Sequence, residues 1–477
     1  MVHRVMRDAR ADATPLGRLR RFAGAIRPTD PTVTRALAER WAELPDHLKT
    51  PAQMLGRRFL GCEGTHGVFP KCNLACTPCY HSRDANQVRI DVDHTLARIT
   101  EQMRYMRARR GPGQHAQLIG GEVTLLGAQG HGDALAVMEA HGRKPMSMSH
   151  GDFDYDYLVA LAIGPDGHRR FDHLSFAVHI DSTMSGRRGH RRPTTEAELH
   201  PERERVCALF ARLRREHGVR SYLAHNMTVT ASNLGEVADV VRTCRGMGFR
   251  MLSFQPAARI GHRLSTDTPV SDDDVWEQIE LGAQARLPFG VLQVGDPRCN
   301  RTVWGLEHGG RYTPLLDDRH AGDLRARDTL MRAFPGVDFG GPRTTRAVRL
   351  MRVLARHPGV VPAAIGWAVR TARRVGLFRL ARRQTHPLTF VMHNFMDADA
   401  VRPAWDMLQR GENSDDPTIA ATQERLRACS YLMAHPEQDL LVPACAQHAV
   451  FDPDENRVLR DVLPLASTNR VPRGGET

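Results

Sequence analysis

At 477 residues, with 41% hydrophobic and 25% charged side chains, the chain suits one large globular domain with extensions, or two, and excludes a disordered or fibrous protein. No stretch approaches the roughly 20 apolar residues that cross a bilayer, and the basic start, Met1 to Pro28, lacks the continuous apolar segment of a secretory signal. The net charge of +12 is concentrated late in the chain, and nine cysteines argue for a reducing cytoplasm rather than a disulfide framework. Residues 1–57 read as a peripheral helical extension without chemistry of its own.

From Phe59 the pattern changes. Short apolar pieces, Phe59-Leu60-Gly61-Cys62 and Gly67-Val68-Phe69, lead into Cys72-Asn-Leu-Ala-Cys76-Thr-Pro-Cys79. Thiolates are the usual ligands of iron–sulfur clusters, and a cubane cluster needs one for each of its irons. This loop supplies three, which leaves one iron open to a small molecule. The competing reading is a structural zinc loop, but closed zinc sites want a fourth ligand and usually show paired Cys-x2-Cys knuckles. His81, two residues beyond the last thiol, is poorly placed to complete that tetrahedron.

The spacing Cys-x3-Cys-x2-Cys resembles the signature of the radical S-adenosylmethionine (radical SAM) superfamily. The resemblance implies a [4Fe-4S] cluster held by Cys72, Cys76 and Cys79. Its open iron is chelated by the amino and carboxylate groups of SAM, and an electron releases a 5′-deoxyadenosyl radical. An electron donor of flavodoxin or ferredoxin type is expected.

Next, Asp91 to Arg110 reads as an amphipathic helix, with Leu96, Ile99, Met103 and Met106 at helical spacing. Ala116 to Ile119 reads as a strand ending in Gly120-Gly121-Glu122-Val123-Thr124. Glycines let backbone approach a ligand closely, and a carboxylate accepts hydrogen bonds from an ammonium group. The stretch resembles the superfamily's Gly-Gly-Glu-Pro-Thr motif, with Val123 in place of proline, and so implies that Gly120, Gly121, Glu122 and Thr124 help bind SAM. A plain strand-to-helix turn is the alternative.

Strand candidates at Lys144–Ser149, His173–Ile180, Ser221–Val229 and Arg250–Phe254 alternate with helical stretches at Glu196–His217 and Leu234–Gly246. Alternation of this kind implies a parallel sheet with right-handed crossovers. We therefore expect an α/β fold, a partial (β/α)6 TIM-like barrel over residues 58–265 with a mostly helical C-terminal extension. Polar residues at the carboxyl ends of such strands line active sites. By the resemblance, Asp181, Ser182 and Arg187 after the fourth strand and Thr230 and Asn233 after the fifth face the ribose and carboxylate of SAM, while Gln255 approaches adenine or substrate. Helix capping is the competing role for Asp181 and Asn233. His150, Asp152 and His179 are strand-end candidates for substrate contact, although such histidines are more often structural. Cys207 and Cys244 fall within crossover helices and read as core.

Residues 266–340 form a loop-rich connector containing Cys299. Residues 341–386 follow with eleven arginines and no Asp, Glu or Lys. Arg346, Arg349, Arg352 and Arg356 fall on one helical face, and Val360 to Val369 with Trp367 forms an apolar run. A basic amphipathic pair of helices is the composition of an interfacial membrane segment, and each basic residue can add about 1 kcal/mol at an anionic surface. Peripheral association at the inner face of the membrane is the expectation. Nucleic acid is a weaker one, because stacking aromatics are sparse, and a solvated hairpin packed on the barrel is the alternative to both.

Residues 387–477 hold His393-Asn394-Phe395-Met396-Asp397, Cys429 and Cys445. This arrangement looks like C-terminal extensions of radical SAM enzymes related to the archaeal tetraether lipid synthase, which carry more cysteines ahead of the barrel than the single Cys62 here. It implies that Cys299, Cys429 and Cys445, with Cys62 or His448, hold a second iron–sulfur cluster or a single iron. The functional expectation is hydrogen abstraction from an unactivated carbon of a lipid or other amphiphile. The alternatives are a radical SAM enzyme acting on RNA or a peptide, and a non-catalytic iron–sulfur or zinc regulator that binds nucleic acid.

Overall fold

The computed structural model describes residues 24, 26–81, 83–189, 192–261, 268–376, 378, 380 and 385–465. Three of the eleven arginines, Arg379, Arg382 and Arg383, lie outside them.

The described chain builds, beside a separate two-stranded ribbon of Ala75–Cys76 and Met184–Ser185, an eleven-stranded sheet. Six parallel strands form its centre: β1 (Cys62–Gly64), β2 (His115–Leu118), β3 (Lys144–Ser149), β4 (His173–His179), β5 (Arg220–Val229) and β6 (Met251–Pro256). They follow one another in sheet order, so each connection moves one place along the sheet, as in the partial barrel expected from sequence. Helix α1 (Pro31–Glu43) precedes the barrel, and α2 (Val92–Arg110) is the first crossover.

Local sequence sets these elements. The Asp91 carboxylate accepts the His94 N–H to start α2, and Gly111, at a φ of 69°, ends it. Ile99, Met103 and Met106 are wholly buried against the sheet, each contributing roughly 1.5–3 kcal/mol on burial. Leu96 is partly buried beside them. Cys207 on the crossover helix α5 (His200–His217) and Cys244 on α6 (Val237–Cys244) lie in the same core, as read from sequence.

The sheet does not stop at β6. Later segments add β7 (Asn300–His308), β8 (Arg311–Pro314) and β9 (Thr385–His393) at one edge, and β10 (Tyr431–His435) and β11 (Leu440–Pro443) at the other. β9 pairs parallel to β6 and β10 parallel to β1, so both edges of the central six are covered by strands from the C-terminal third. The extension is otherwise helical, with α7 (Asp272–Ala283), α8 (Ala321–Ala333), α9 (Arg343–Arg356), α10 (Val360–Val375), α11 (Ala398–Gln409), α12 (Pro417–Arg427) and α13 (Asp452–Val462). No described helix is long and apolar enough to cross a membrane.

A buried triad fastens the first three strand–helix units. Glu63 on β1 accepts from Arg110 Nε at 2.9 Å and Arg143 Nε at 2.8 Å, with all three side chains almost without solvent contact.

Candidate active site

The three-thiol loop crosses the carboxyl ends of the strands and is strapped to three of them. After β2, the Gly121 N–H donates to Phe69 O at 2.7 Å and the Glu122 N–H to Lys71 O at 2.9 Å. A Cβ on Gly121 would stand 2.1 Å from Lys71 O, so only glycine permits this approach. After β3, His150 Nε2 meets Asn73 Oδ1 at 2.9 Å. After β4, Ala75–Cys76 pairs antiparallel with Met184–Ser185, and the Ser185 hydroxyl donates to Ala75 O.

Cys72, Cys76 and Cys79 thereby share one place. Burial pushes the Cys72 thiol up to about 11, and the neighbouring Cys79 adds to the rise. Burial raises Cys76 well above its ordinary value, with further contributions from Cys79, Asp181 and Cys72. Thiols that oppose one another's ionisation in this way lose their protons together only when a cationic centre takes their place. The donor set therefore suits a metal cluster. His81 does not join it, since its Nε2 bonds to Gly120 O at 2.5 Å.

Arg187, after β4, lies within reach of this charge and lowers the Cys76 pKa. It is 1% exposed; its Nη2 donates to His179 O at 3.1 Å, but Nη1 is buried without a hydrogen-bond partner. A buried guanidinium nitrogen left unpaired is costly, and a carboxylate entering beside Cys76 would satisfy it.

The remaining sequence candidates are drawn into protein–protein bonds. Glu122 is 1% exposed and accepts from Thr124 N at 3.0 Å, Ser149 Oγ at 2.8 Å and His150 N at 2.9 Å. It caps the turn that Thr124 begins and ties the ends of β2 and β3 together. Asp181 accepts from Thr183 N, Thr183 Oγ1, Thr228 N and His179 Nε2, and these partners outweigh its burial and hold its carboxyl below the usual carboxylate range. Ser182 donates twice to Glu196 Oε1, at 2.8 Å from N and 2.7 Å from Oγ. Asn233 accepts the Thr230 N–H at 2.8 Å, a backward turn in place of the expected helix cap, and its Nδ2 reaches Thr228 O at 3.0 Å. Thr230 Oγ1 meets Ser232 Oγ at 2.7 Å, and half-buried Gln255 donates to Ser253 Oγ at 2.7 Å. Asp152 accepts the Arg188 N–H at 3.1 Å.

Sequence reading missed the residue that organises these loops. Glu196 is fully buried, takes both Ser182 donors and Asn233 Nδ2, and forms an ion pair with buried Arg203, whose Nη2 also holds Ile180 O at 2.9 Å. No local pattern distinguishes Glu196 from an ordinary acid at a helix start.

A second thiol group assembles from four distant segments. Cys62 opens β1, Cys299 precedes β7, Cys429 precedes β10 and Cys445 follows β11. The Cys62 N–H donates to Ser430 O at 2.7 Å, and a Cβ on Gly61 would stand 2.3 Å from that oxygen. Cys445, pushed up by burial, is raised further by Cys429 and Cys299, Cys299 by Cys429, and Cys62 by Cys429. Arg425 Nε donates to Cys299 Sγ at 3.1 Å. His448 holds Asp452 Oδ2 through Nδ1 at 2.6 Å, with its ring beside Tyr80 and Phe395, and its Nε2 is buried without a hydrogen-bond partner.

The arginine block is divided by its packing. Arg349 bonds Asp338, Arg352 Nη1 reaches Ile26 O, and Arg370 and Arg374 both pair with fully buried Asp323 at 2.7 and 2.8 Å. Trp367 points inward and donates to Leu315 O. The single arginine face read from sequence is thus partly used in folding. The outer side of the hairpin still exposes Arg343, Arg346, Arg356 and Arg373 together with Leu350, Met351, Val361, Ile365 and Val369.

The chain gives no match to family models or to curated proteins. Among solved structures it is similar to anSMEcpe with bound AdoMet, at 13% identity and a TM-score of 0.30 over 46% of this chain and 57% of that one. It is also similar to a spore photoproduct lyase mutant, at 13% identity and a TM-score of 0.26 over 63% of this chain and 83% of that one. The chain spans 57% of the length of the first, and likeness at this level assigns neither a family nor a reaction.

Proposed function

We propose that the protein is a radical SAM enzyme, with Cys72, Cys76 and Cys79 as cluster ligands and SAM bound along the strand ends from Gly120 to Arg187. The observation that carries this reading is the set of three mutually repelling thiols beside a buried, unpaired guanidinium nitrogen. A [4Fe-4S] cluster held by these three thiolates would pass one electron, drawn from a flavodoxin- or ferredoxin-type donor, to SAM, cleaving it to methionine and a 5′-deoxyadenosyl radical. The chain's own residues orient and shield. Arg187 Nη1 receives a carboxylate, and the glycine turn at Gly120 and Gly121 keeps the loop close to the sheet. Glu122, Asp181 and Glu196 fix the strand-end loops rather than offering free oxygens. A walled barrel end excludes water from a reactive carbon radical.

The test is formation of 5′-deoxyadenosine by anaerobically reconstituted, reduced protein. A loop that takes up zinc, or a full cluster that never turns SAM over, overturns the reading and favours a regulator. Arg187→Met is expected to weaken SAM binding by about 10–150-fold, the worth of a hydrogen bond to a charged group, measured by equilibrium binding to the reconstituted protein.

We further propose an amphiphilic substrate met at an anionic membrane surface. Val361, Ile365 and Val369 stand one turn apart on the exposed side of α10, flanked by exposed positive charge. Ile365→Glu with Val369→Glu should abolish flotation with vesicles containing anionic lipid while leaving 5′-deoxyadenosine formation intact. Equal flotation of both proteins removes the membrane role, and retention on RNA in its place favours the nucleic-acid alternative. The second thiol group, Cys62, Cys299, Cys429 and Cys445, is proposed to hold an auxiliary iron–sulfur cluster or a single iron.

A further inference from the structure

The geometry points to a divalent-metal site made by His66, His435 and Glu455, separate from both thiol groups. His66 lies two residues beyond β1, His435 ends the neighbouring β10, and Glu455 stands on α13. The two rings stack with centroids 4.1 Å apart and planes 18° from parallel. Glu455 Oε1 is 2.9 Å from His66 Nδ1 and 3.8 Å from His435 Nδ1, and one ligand atom from each residue falls within 4.8 Å of the others.

Hydrogen bonding fixes which nitrogens are available. His66 Nε2 lies 2.6 Å from Ala434 O, a carbonyl that only accepts, so Nε2 carries its proton. Gln447 Nε2 donates to Asp452 Oδ1 at 2.9 Å and Glu455 Oε2 at 3.1 Å, which turns Gln447 Oε1 toward His435 Nε2 at 2.5 Å and makes that nitrogen a donor too. In neutral rings both Nδ1 atoms are then lone pairs, and what they face are carboxylates. Acceptors confront acceptors.

Protonation relieves only half of this conflict. A proton on His66 Nδ1 would bond Glu455 Oε1, 2.9 Å away, but leaves His435 Nδ1 without a partner. His435 is 1% exposed, and its Nδ1 has no hydrogen-bond partner, although Glu437 Oε1 lies 3.4 Å away and Glu455 Oε1 beyond it. One divalent cation between the two Nδ1 atoms and the Glu455 carboxylate would satisfy all three groups once the stacked rings tilt apart, so that their in-plane lone pairs converge on it. Metal-bound histidines characteristically donate the other ring N–H to a carbonyl or amide oxygen, and both rings already do so. Two imidazole nitrogens and one carboxylate suit zinc, iron(II), cobalt(II) or manganese(II), whereas calcium and magnesium prefer all-oxygen sets. His66 also borders a cleft shared with Tyr80, His81 and His448, which leaves room for water as a further ligand.

Cobalt(II) titration of the full-length apoprotein tests the site by spectrum rather than by activity. Wild type is expected to bind one more cobalt than His435→Gln, and the difference spectrum should show d–d bands without a thiolate-to-cobalt charge-transfer band. Gln447→Leu, which removes a supporting bond, should weaken that cobalt by about 10–100-fold. Equal stoichiometry in wild type and His435→Gln, or a difference spectrum of thiolate type, overturns the proposal. If His435→Gln does not fold, Glu455→Gln on the outer helix replaces it, and one cobalt fewer supports the site while an equal count overturns it. Failure here leaves the SAM-cleavage reading untouched, because no thiol takes part.

Discussion

Glu63→Ala is expected to lower the unfolding free energy by about 3–5 kcal/mol, the usual cost of removing one member of a buried ion pair. The physical reason is what remains behind. Arg110 and Arg143 are 4% and 0% exposed in their side chains, and both direct Nε at the Glu63 carboxylate. Without it, two guanidinium groups face each other in a site where burial already lowers both pKa values. Each also donates to a backbone carbonyl, Arg110 to Leu60 O and Arg143 to Gly111 O, so neither can swing into solvent without leaving an acceptor unpaired. Glu63→Gln should cost less, since it keeps the shape and one acceptor. Urea denaturation checks both, and a Glu63→Ala protein as stable as wild type would show that the triad closes the first strand–helix units without holding them.

The second large effect concerns iron and turnover together. Anaerobic reconstitution should give about four more irons per chain in wild type than in Cys429→Ala if the second centre is a cubane, or about one more if it is a single iron. Cys76→Ala should lose the first cluster and all 5′-deoxyadenosine formation. Cys429→Ala should lose only the second centre and continue to cleave SAM. A wild-type count of about four removes the auxiliary site. Loss of SAM cleavage in Cys429→Ala, with four irons retained, would instead mean that the two thiol groups act as one unit.

The central sheet was legible from β2 to β6 because each of those strands sits in a local pattern, whereas β1 (Cys62–Gly64) falls largely between the two apolar pieces read from sequence. Lys144–Ser149 coincides with β3, and the expectations for β4, β5 and β6 differ from the structure by a residue or two at their ends. Helix α2 could be read from its cap and its buried stripe at Ile99, Met103 and Met106. β9 and β10 were not read as barrel neighbours, since their partners, β6 and β1, lie far away in sequence and periodicity is local. The thiols of the first group were visible as one short motif. Those of the second were named, but they lie on separate segments, and only the pairing of β1 with β10 brings Cys62 beside Ser430, next to Cys429. The candidates after β4 and β5 lie at the strand ends, as read from sequence, and the hydrogen bonds they make there were not legible. Asp181, Ser182 and Asn233 spend their polar atoms on neighbouring loops, and Glu196, which collects two of them, carries no signal of its own.

The borrowed edge strands bear on how the polypeptide matures. While synthesis proceeds, the six-stranded core emerges with two unsatisfied flanks, and the segments that cover them, β9 beside β6 and then β10 beside β1, follow it in the chain. Exposed flanks of this kind template association between chains. The second thiol pocket also stays unfinished until then, because Cys429 and Cys445 come with those last segments and β10 docks beside β1. Completion of that pocket and shielding of the β1 flank therefore converge on the docking of β10, and a truncation that removes residues 429–445 would compromise both at once.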